Sequence, residues 1–195
     1  MSSSINILIS CSIRFLQTFI SVKPIFDVVI AIPVLIPALI SLAKFKGGVF
    51  EDEDVNCQAG CIRNNSVSCL GSILEKCNIT DQNSVVRKFK FIELFTCLIR
   101  TGGGGKEHNC DVITSALMNM RQVIYQLQGK YGHQTLACYE QYKQVKEQYE
   151  EEGTVEEIDV QSFSGRGSFD YTFAQAEDAN GQIAHCFIHR SNQRY

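Results

Sequence analysis

Tryptophan is missing from this sequence, proline is scarce, and neither sign of charge dominates. The three prolines, Pro24, Pro33 and Pro37, all fall within the first 46 residues, which sets that stretch apart from the rest. A formal net charge of −3 and a pI near 5.8 exclude a generally basic nucleic-acid binder. With 45% apolar and 20% charged residues the chain is too hydrophobic and too weakly charged for disorder. Its 195 residues suffice for one domain or a little more. Catalytic signatures are missing as well. No Gly-x-Ser-x-Gly elbow occurs, and His108, His133, His185 and His189 have no motif-bound serine or acid partner. Residues 102–106 are not a phosphate loop, because Arg100 stands where the first glycine belongs and Glu107 where a Ser or Thr must follow the lysine. The acidic cluster of Glu150, Glu151, Glu152, Glu156, Glu157 and Asp159 lacks a calcium loop's pattern of alternating Asp/Asn ligands around a glycine with a Glu at its end, and reads as a solvated helix end. The sequence therefore predicts a protein without catalysis and without a cofactor.

What is present begins with an apolar N-terminal run. Residues 28–43 carry no charge, Arg14 and Lys23 precede them, and Ser41-Leu42-Ala43 places small residues where a signal peptidase needs them. These features predict a secretory leader over residues 1–43, cleaved after Ala43. A signal anchor is the alternative, although the run is shorter than the roughly 20 residues of a spanning helix. Pro33 and Pro37 interrupt it, and an interior proline costs a helix about 3 kcal/mol.

Cleavage would remove Cys11 and leave eight cysteines: Cys57, Cys61, Cys69, Cys77, Cys97, Cys110, Cys138 and Cys186. An even number behind a secretory leader predicts a disulfide framework. Two sequons, at Asn64 and Asn78, are candidate glycosylation sites. The expected location is extracellular. A zinc site is disfavoured, since Cys57-x3-Cys61 has no second short pair and His185-Cys186-Phe187-Ile188-His189 reads as a strand with a buried cysteine.

Between residues 44 and 152 the pattern is helical. Residues 51–54 form a solvated acidic entry, and 57–77 read as two short helices, with Gly71 and Asn64-Asn65-Ser66 arguing against one. Residues 85–100 read as a central buried helix, followed by a glycine loop. Residues 109–128 carry Val112, Ile113, Ala116, Leu117, Met120, Val123, Ile124 and Leu127 at spacings of three and four, one apolar stripe, expected to pack on the 85–100 helix. Residues 133–151 read as a further helix with Cys138, Tyr142, Val145 and Tyr149 as its inner seam. Beyond Gly153, residues 155–163, 168–174 and 182–189 read as strands, with turn chemistry at 164–167 and 178–181. The expected fold is mainly α, a disulfide-linked helical domain over 44–152 with a small C-terminal antiparallel β meander over 153–195. No internal repeat is evident.

One stretch carries a family likeness. Cys69-Leu70-Gly71-Ser72-Ile73-Leu74, ending at Cys77, resembles the first paired cysteines of the stanniocalcins, secreted glycoprotein hormones. Phe95-Thr96-Cys97-Leu98 is similar to that family's Phe-x-Cys-Leu. Cys110 then opens an amphipathic helix, and Gln128-Gly129-Lys130 precedes Leu136-Ala137-Cys138 in a similar order. The likeness covers about residues 66–140. It departs from the family where the glycine run replaces a cysteine between Cys97 and Cys110, and where the strand-like tail replaces a cysteine-rich helical continuation. The resemblance implies disulfides from Cys69 to Cys97 and from Cys77 to Cys110. It implies a hormone-type extracellular signal in calcium and phosphate balance, with a cell-surface receptor or other extracellular protein as partner and a possible homodimer. The remaining cysteines would pair as Cys138 with Cys186 and Cys57 with Cys61, or Cys57 and Cys61 with Cys138 and Cys186. The competing readings are a secreted helical carrier or binding module for an apolar ligand, and a membrane-anchored ectodomain. A membrane is a partner only if the leader stays.

Overall fold

The computed structural model describes residues 3–22, 26–28, 31–46, 52–77, 85–100, 109–127, 136–164 and 170–187. They form α1 (Ser3–Ile20), α2 (Leu35–Ala43), α3 (Glu53–Lys76), α4 (Phe91–Ile99), α5 (Cys110–Leu127), α6 (Leu136–Glu151), α7 (Thr154–Ser164) and α8 (Asp170–Phe187).

Among the described residues there is no strand, so the expected C-terminal β meander is not what the chain forms. Residues 155–163 lie within α7, and the other two expected strands fall largely in α8. The buried positions explain why. Thr154, Ile158 and Gln161 recur at spacings of four and three, as do Ala176 and Ala179 after Gln175, which is a helix face. The expected turn at 178–181 is mid-helix. Asp178 pairs with Arg121 of α5 at 2.7 Å, and Asn180 donates to Asp159 of α7 at 2.6 Å. The expected turn at 164–167 and the glycine loop lie outside the described residues, apart from Ser164 at the end of α7.

Two helices also differ from expectation. α3 is one continuous helix of 24 residues rather than two short ones. Its acidic start is a cap: Asp52 Oδ1 accepts from the backbone N–H groups of Asp54 and Val55, and Glu53 and Asp54 occupy the first turn. The central helix is interrupted at Lys90, whose φ of 51° is left-handed, so α4 begins only at Phe91. The 109–128 stripe is buried as its periodicity predicts, with Val112, Ala116, Leu117, Met120 and Val123 all solvent-inaccessible. α5 packs on α3, α4 and α8.

The helices form two rows. α1, α3, α5 and α8 lie side by side in that order. Side-chain bonds fix their direction. Asn6 meets Gln58, Asn65 meets Ser10, and Gln17 meets Ser72, so α1 and α3 run parallel. Ser115 meets Asn64, Asn119 meets the Val67 carbonyl and Gln126 the Glu75 carbonyl, so α3 and α5 are parallel too. Thr114–Thr172 and Arg121–Asp178 extend the parallel set to α8. In the second row α4 packs on α7, joined by Thr96–Thr154 at 2.6 Å and by Gln161 donating to the Ile99 carbonyl at 2.6 Å. That last bond satisfies a carbonyl that the end of α4 would otherwise orphan. These ladder bonds join residues 51 to 62 apart. The architecture is thus a short solenoid whose structural unit is a long helix and its return, a repeat that the sequence does not display.

Candidate functional site

The second row has a gap. α2 packs on α3, and α4 on α5 and α7, but α2 and α4 do not pack closely on each other. Between α2 and the short helical stretch before α4 lies an apolar cleft of about 670 Å³. One wall is Ile32, Pro33, Ile36 and Pro37, the opposite wall is Val85, Lys88 and Phe89, and Ile73 of α3 and Cys77 just past its end close the floor. The prolines set this wall locally. With φ fixed and no N–H to donate, Pro33 stands before the first turn and Pro37 within it, and α2 is confined to nine residues. A helix that short cannot cover the floor laid down by α3.

The volume falls in the range of small-molecule sites, about 300–1,000 Å³. Apart from Lys88, every side chain named above is uncharged. Lys88 is exposed at the rim, and its ammonium lies 5.1 Å from the Phe89 ring centroid. The arrangement suits an apolar body with one anionic end. A second, polar groove of about 310 Å³ lies along α1, α3 and α5 and is lined by Gln17, Ser72, Glu75, Asn119 and Arg121. It has no convergent charge of one sign.

The cysteines do not assemble as expected. No disulfide joins any of the seven whose side chains are described. Cys69 is fully buried on α3, and burial pushes its thiol up to about 12, whereas Cys97 is exposed on α4. Cys77 follows the C-terminus of α3, while Cys110 begins α5. Because α3 and α5 run parallel, with Asn109 against Gly60 and Gln126 against the Glu75 carbonyl, Cys77 and Cys110 sit at opposite ends of the pair. Sixteen residues of helix, from the level of Cys61 to Cys77, span about 24 Å, against the roughly 7 Å that a disulfide allows between Cα atoms. The pairing implied by the stanniocalcin resemblance is not the one this fold permits. Cys57 and Cys61, one turn apart on α3, do meet: burial raises the Cys61 thiol first, and the neighbouring Cys57 thiol raises it further. Cys138 and Cys186 lie on α6 and α8, their side chains outside the described set, as are those of His185 and Tyr142.

Asn64, the first sequon, faces α5 from mid-helix, half-buried, and accepts from Ser115 Oγ at 2.7 Å. Asn78, the second, lies outside the described residues, together with His108, His133 and His189. Among the described residues no group of three or more His, Cys, Asp or Glu side chains converges to hold a metal. No helix among them is long and apolar enough to cross a membrane. Ala43, the expected cleavage position, is fully buried, and Arg63 of α3 donates to the carbonyls of Phe45 and Lys46 at 3.1 and 2.9 Å. The sequence does not display the cleft. Its wall residues belong to the stretch whose composition suggests a leader, and only the spacing of Pro33 and Pro37 hinted at a short helix there. Comparison of the chain with family models, with curated proteins and with solved structures gives no match.

Proposed function

We propose that the protein, with residues 1–43 in place, is a non-catalytic binding module for an amphiphile that seats its apolar chain in the α2–α4 cleft and its anionic head at Lys88. The observation that supports this is the cleft itself, an open apolar volume whose one charged lining residue among the described residues is Lys88. An apolar ligand there replaces water against Ile32, Ile36, Val85 and Phe89, and each buried methylene contributes about 0.8 kcal/mol. The compartment proposed is the secretory pathway or cell exterior, on the strength of the Asn78 sequon and with the apolar N-terminal run retained uncleaved as part of the fold. The hormone-type role is not carried forward, since the disulfide order that supported it is absent.

Titration of the full-length chain with a fluorescent fatty acid tests the reading. Saturable one-to-one binding is expected. Val85→Trp, at a half-buried wall position, fills the cleft and should abolish it. Lys88→Glu should weaken binding about tenfold, the equivalent of one charge-assisted contact. No saturable binding, or binding indifferent to Val85→Trp, refutes the assignment.

A further inference from the structure

The two ends of the solenoid are unlike. End helices of such arrays need a polar outer face, because no neighbour covers them. Among the described side chains of α8 the exposed ones are Ala174, Glu177, Asp178 and Gly181, none of them large and apolar. α1 differs. It buries Asn6, Ile13 and Ile20, seven residues apart, against α3. On its solvent side Ile5, Leu8, Phe15 and Phe19 are exposed, as is Val22 just past its end, and with Ser12 they recur at alternating spacings of three and four. Leu8 is 67% and Phe15 65% exposed. Nine of the eleven large apolar side chains exposed among the described residues lie between Ile5 and Val34.

Three further features say what covers this face. The first is charge. Residues 1–50 hold four basic side chains and one acidic, while residues 51–195 hold fourteen basic and twenty acidic. No acidic residue precedes Asp27, and Arg14 is exposed on α1. The second is the state of the hydroxyls. Ser12, Thr18 and Ser21 donate back to the carbonyls of Leu8, Arg14 and Gln17, so these polar groups have internal partners and tolerate an apolar medium. The third is length. The 18 residues of α1 reach about 27 Å, and its inner face belongs to the protein, so it lies on a bilayer rather than through one.

We propose that the outer face of α1 docks the protein in the headgroup region of an anionic bilayer, with the apolar stripe among the acyl chains. A second copy fits less well, because joining two α1 faces brings together two cationic ends. A surface helix of this kind binds through buried apolar area together with attraction to anionic lipid. The surface stands apart from the cleft reading, since none of the stripe residues lines the cleft.

Flotation of the full-length protein with vesicles tests it. Vesicles of phosphatidylcholine with about 30% phosphatidylserine, a PS-rich surface, should carry the protein, and salt should weaken the association. Phe15→Ser/Phe19→Ser removes an exposed edge-to-face pair with centroids 4.6 Å apart, so helicity should hold. That variant should partition at least about tenfold less. Arg14→Glu should weaken binding to the anionic vesicles but not to pure phosphatidylcholine. Val85→Trp should float like the unmodified chain, so failure of the cleft and failure of the surface are separable. The proposal is overturned if the unmodified protein floats with neither vesicle, or if the double serine variant floats equally well. It is also overturned by a stable dimer that the double variant converts to monomer, or by a cellular protein whose N-terminus begins beyond α1.

Discussion

Gly71→Ala is the sharpest test of the parallel α3–α5 packing. Gly71 lies inside α3, where alanine is ordinarily better than glycine by about 0.5–1 kcal/mol. By propensity alone the substitution should stabilise. The packing says otherwise. A Cβ at position 71 would fall inside the contact distance of the Asn119 side-chain amide on α5. Asn119 is held there because its Nδ2 donates to the Val67 carbonyl at 2.9 Å, a peptide oxygen of α3 itself. To admit the methyl group, Asn119 must rotate away and lose that bond, or the two helices must separate along a seam that also buries Val67, Leu70, Ala116 and Val123. Losing the bond and stranding a half-buried amide costs about 1–3 kcal/mol. Against the propensity gain, the net expectation is a destabilisation of about 0.5–2 kcal/mol.

Gly181→Ala is the internal control. Gly181 lies within α8, and a Cβ there meets nothing within 4 Å. It should stabilise by about 0.4–1 kcal/mol through propensity and the unfolded state. Urea or thermal unfolding of the two variants should therefore move in opposite directions, each by a few degrees at this chain length. Gly71→Ala/Asn119→Ala, which removes the clashing amide, should recover most of the loss. If Gly71→Ala stabilises as much as Gly181→Ala, then Asn119 does not lie over Gly71, and the register of α3 against α5 is wrong.

Two further expectations concern the thiols and the N-terminus. Alkylation of the native protein at pH 8 should label the exposed Cys11, Cys57, Cys97 and Cys110 rapidly and spare Cys69, which is inaccessible and whose thiol, pushed up to about 12, is about one part in ten thousand thiolate at that pH; equal labelling of Cys69 and Cys97 by peptide mass would refute the burial. A chain beginning at Lys44 should bind an apolar dye and lack a cooperative transition, because it loses Ile13, Ile20, Ile36 and Leu39 from the core at about 1.5–3 kcal/mol each, which is comparable to a domain's whole stability; a sharply melting truncated protein would show that α1 and α2 are not part of the fold.

What was legible in the sequence follows a physical divide. α5 was readable because seven buried apolar side chains at spacings of three and four leave no other period available. α3 was misread because Gly60, Gly71, Asn64 and Asn65 carry local signals for a break, and those signals are overruled from outside the helix. The glycines make room for Asn109 and Asn119, and the asparagines bond to Ser115 and Ser10 across the two seams. The tail was misread in the same way. The Asp-Ala-Asn-Gly of α8 has turn chemistry when read locally, but Asp178 and Asn180 are spent on Arg121 and Asp159. At each of these positions tertiary partners decide what local propensity cannot.

The same divide explains the disulfide order and the hidden repeat. Cysteine spacing carries no information about direction. A chain of simple antiparallel hairpins would bring Cys110, early in α5, to the late end of α3, close to Cys77. Inserting a return segment between neighbouring long helices, one helix in the first two cases and α6 with α7 in the third, reverses that geometry: neighbours become parallel, and early residues meet early residues about 50–60 positions on. The unit repeats in space without repeating in sequence because each rung uses different chemistry, an amide pair at Asn6–Gln58, a hydroxyl with an amide at Ser115–Asn64, two hydroxyls at Thr114–Thr172. Such rungs share a position in the fold and no residue type, so no alignment of the chain with itself displays them. The second-row helices on either side of the gap are both short, nine residues each in α2 and α4. α2, confined by Pro33 and Pro37, stops short of α4, and the void it leaves is the cleft. The candidate site is therefore a consequence of two nine-residue return helices that do not pack closely on each other, a property of the assembled rows and of no single segment.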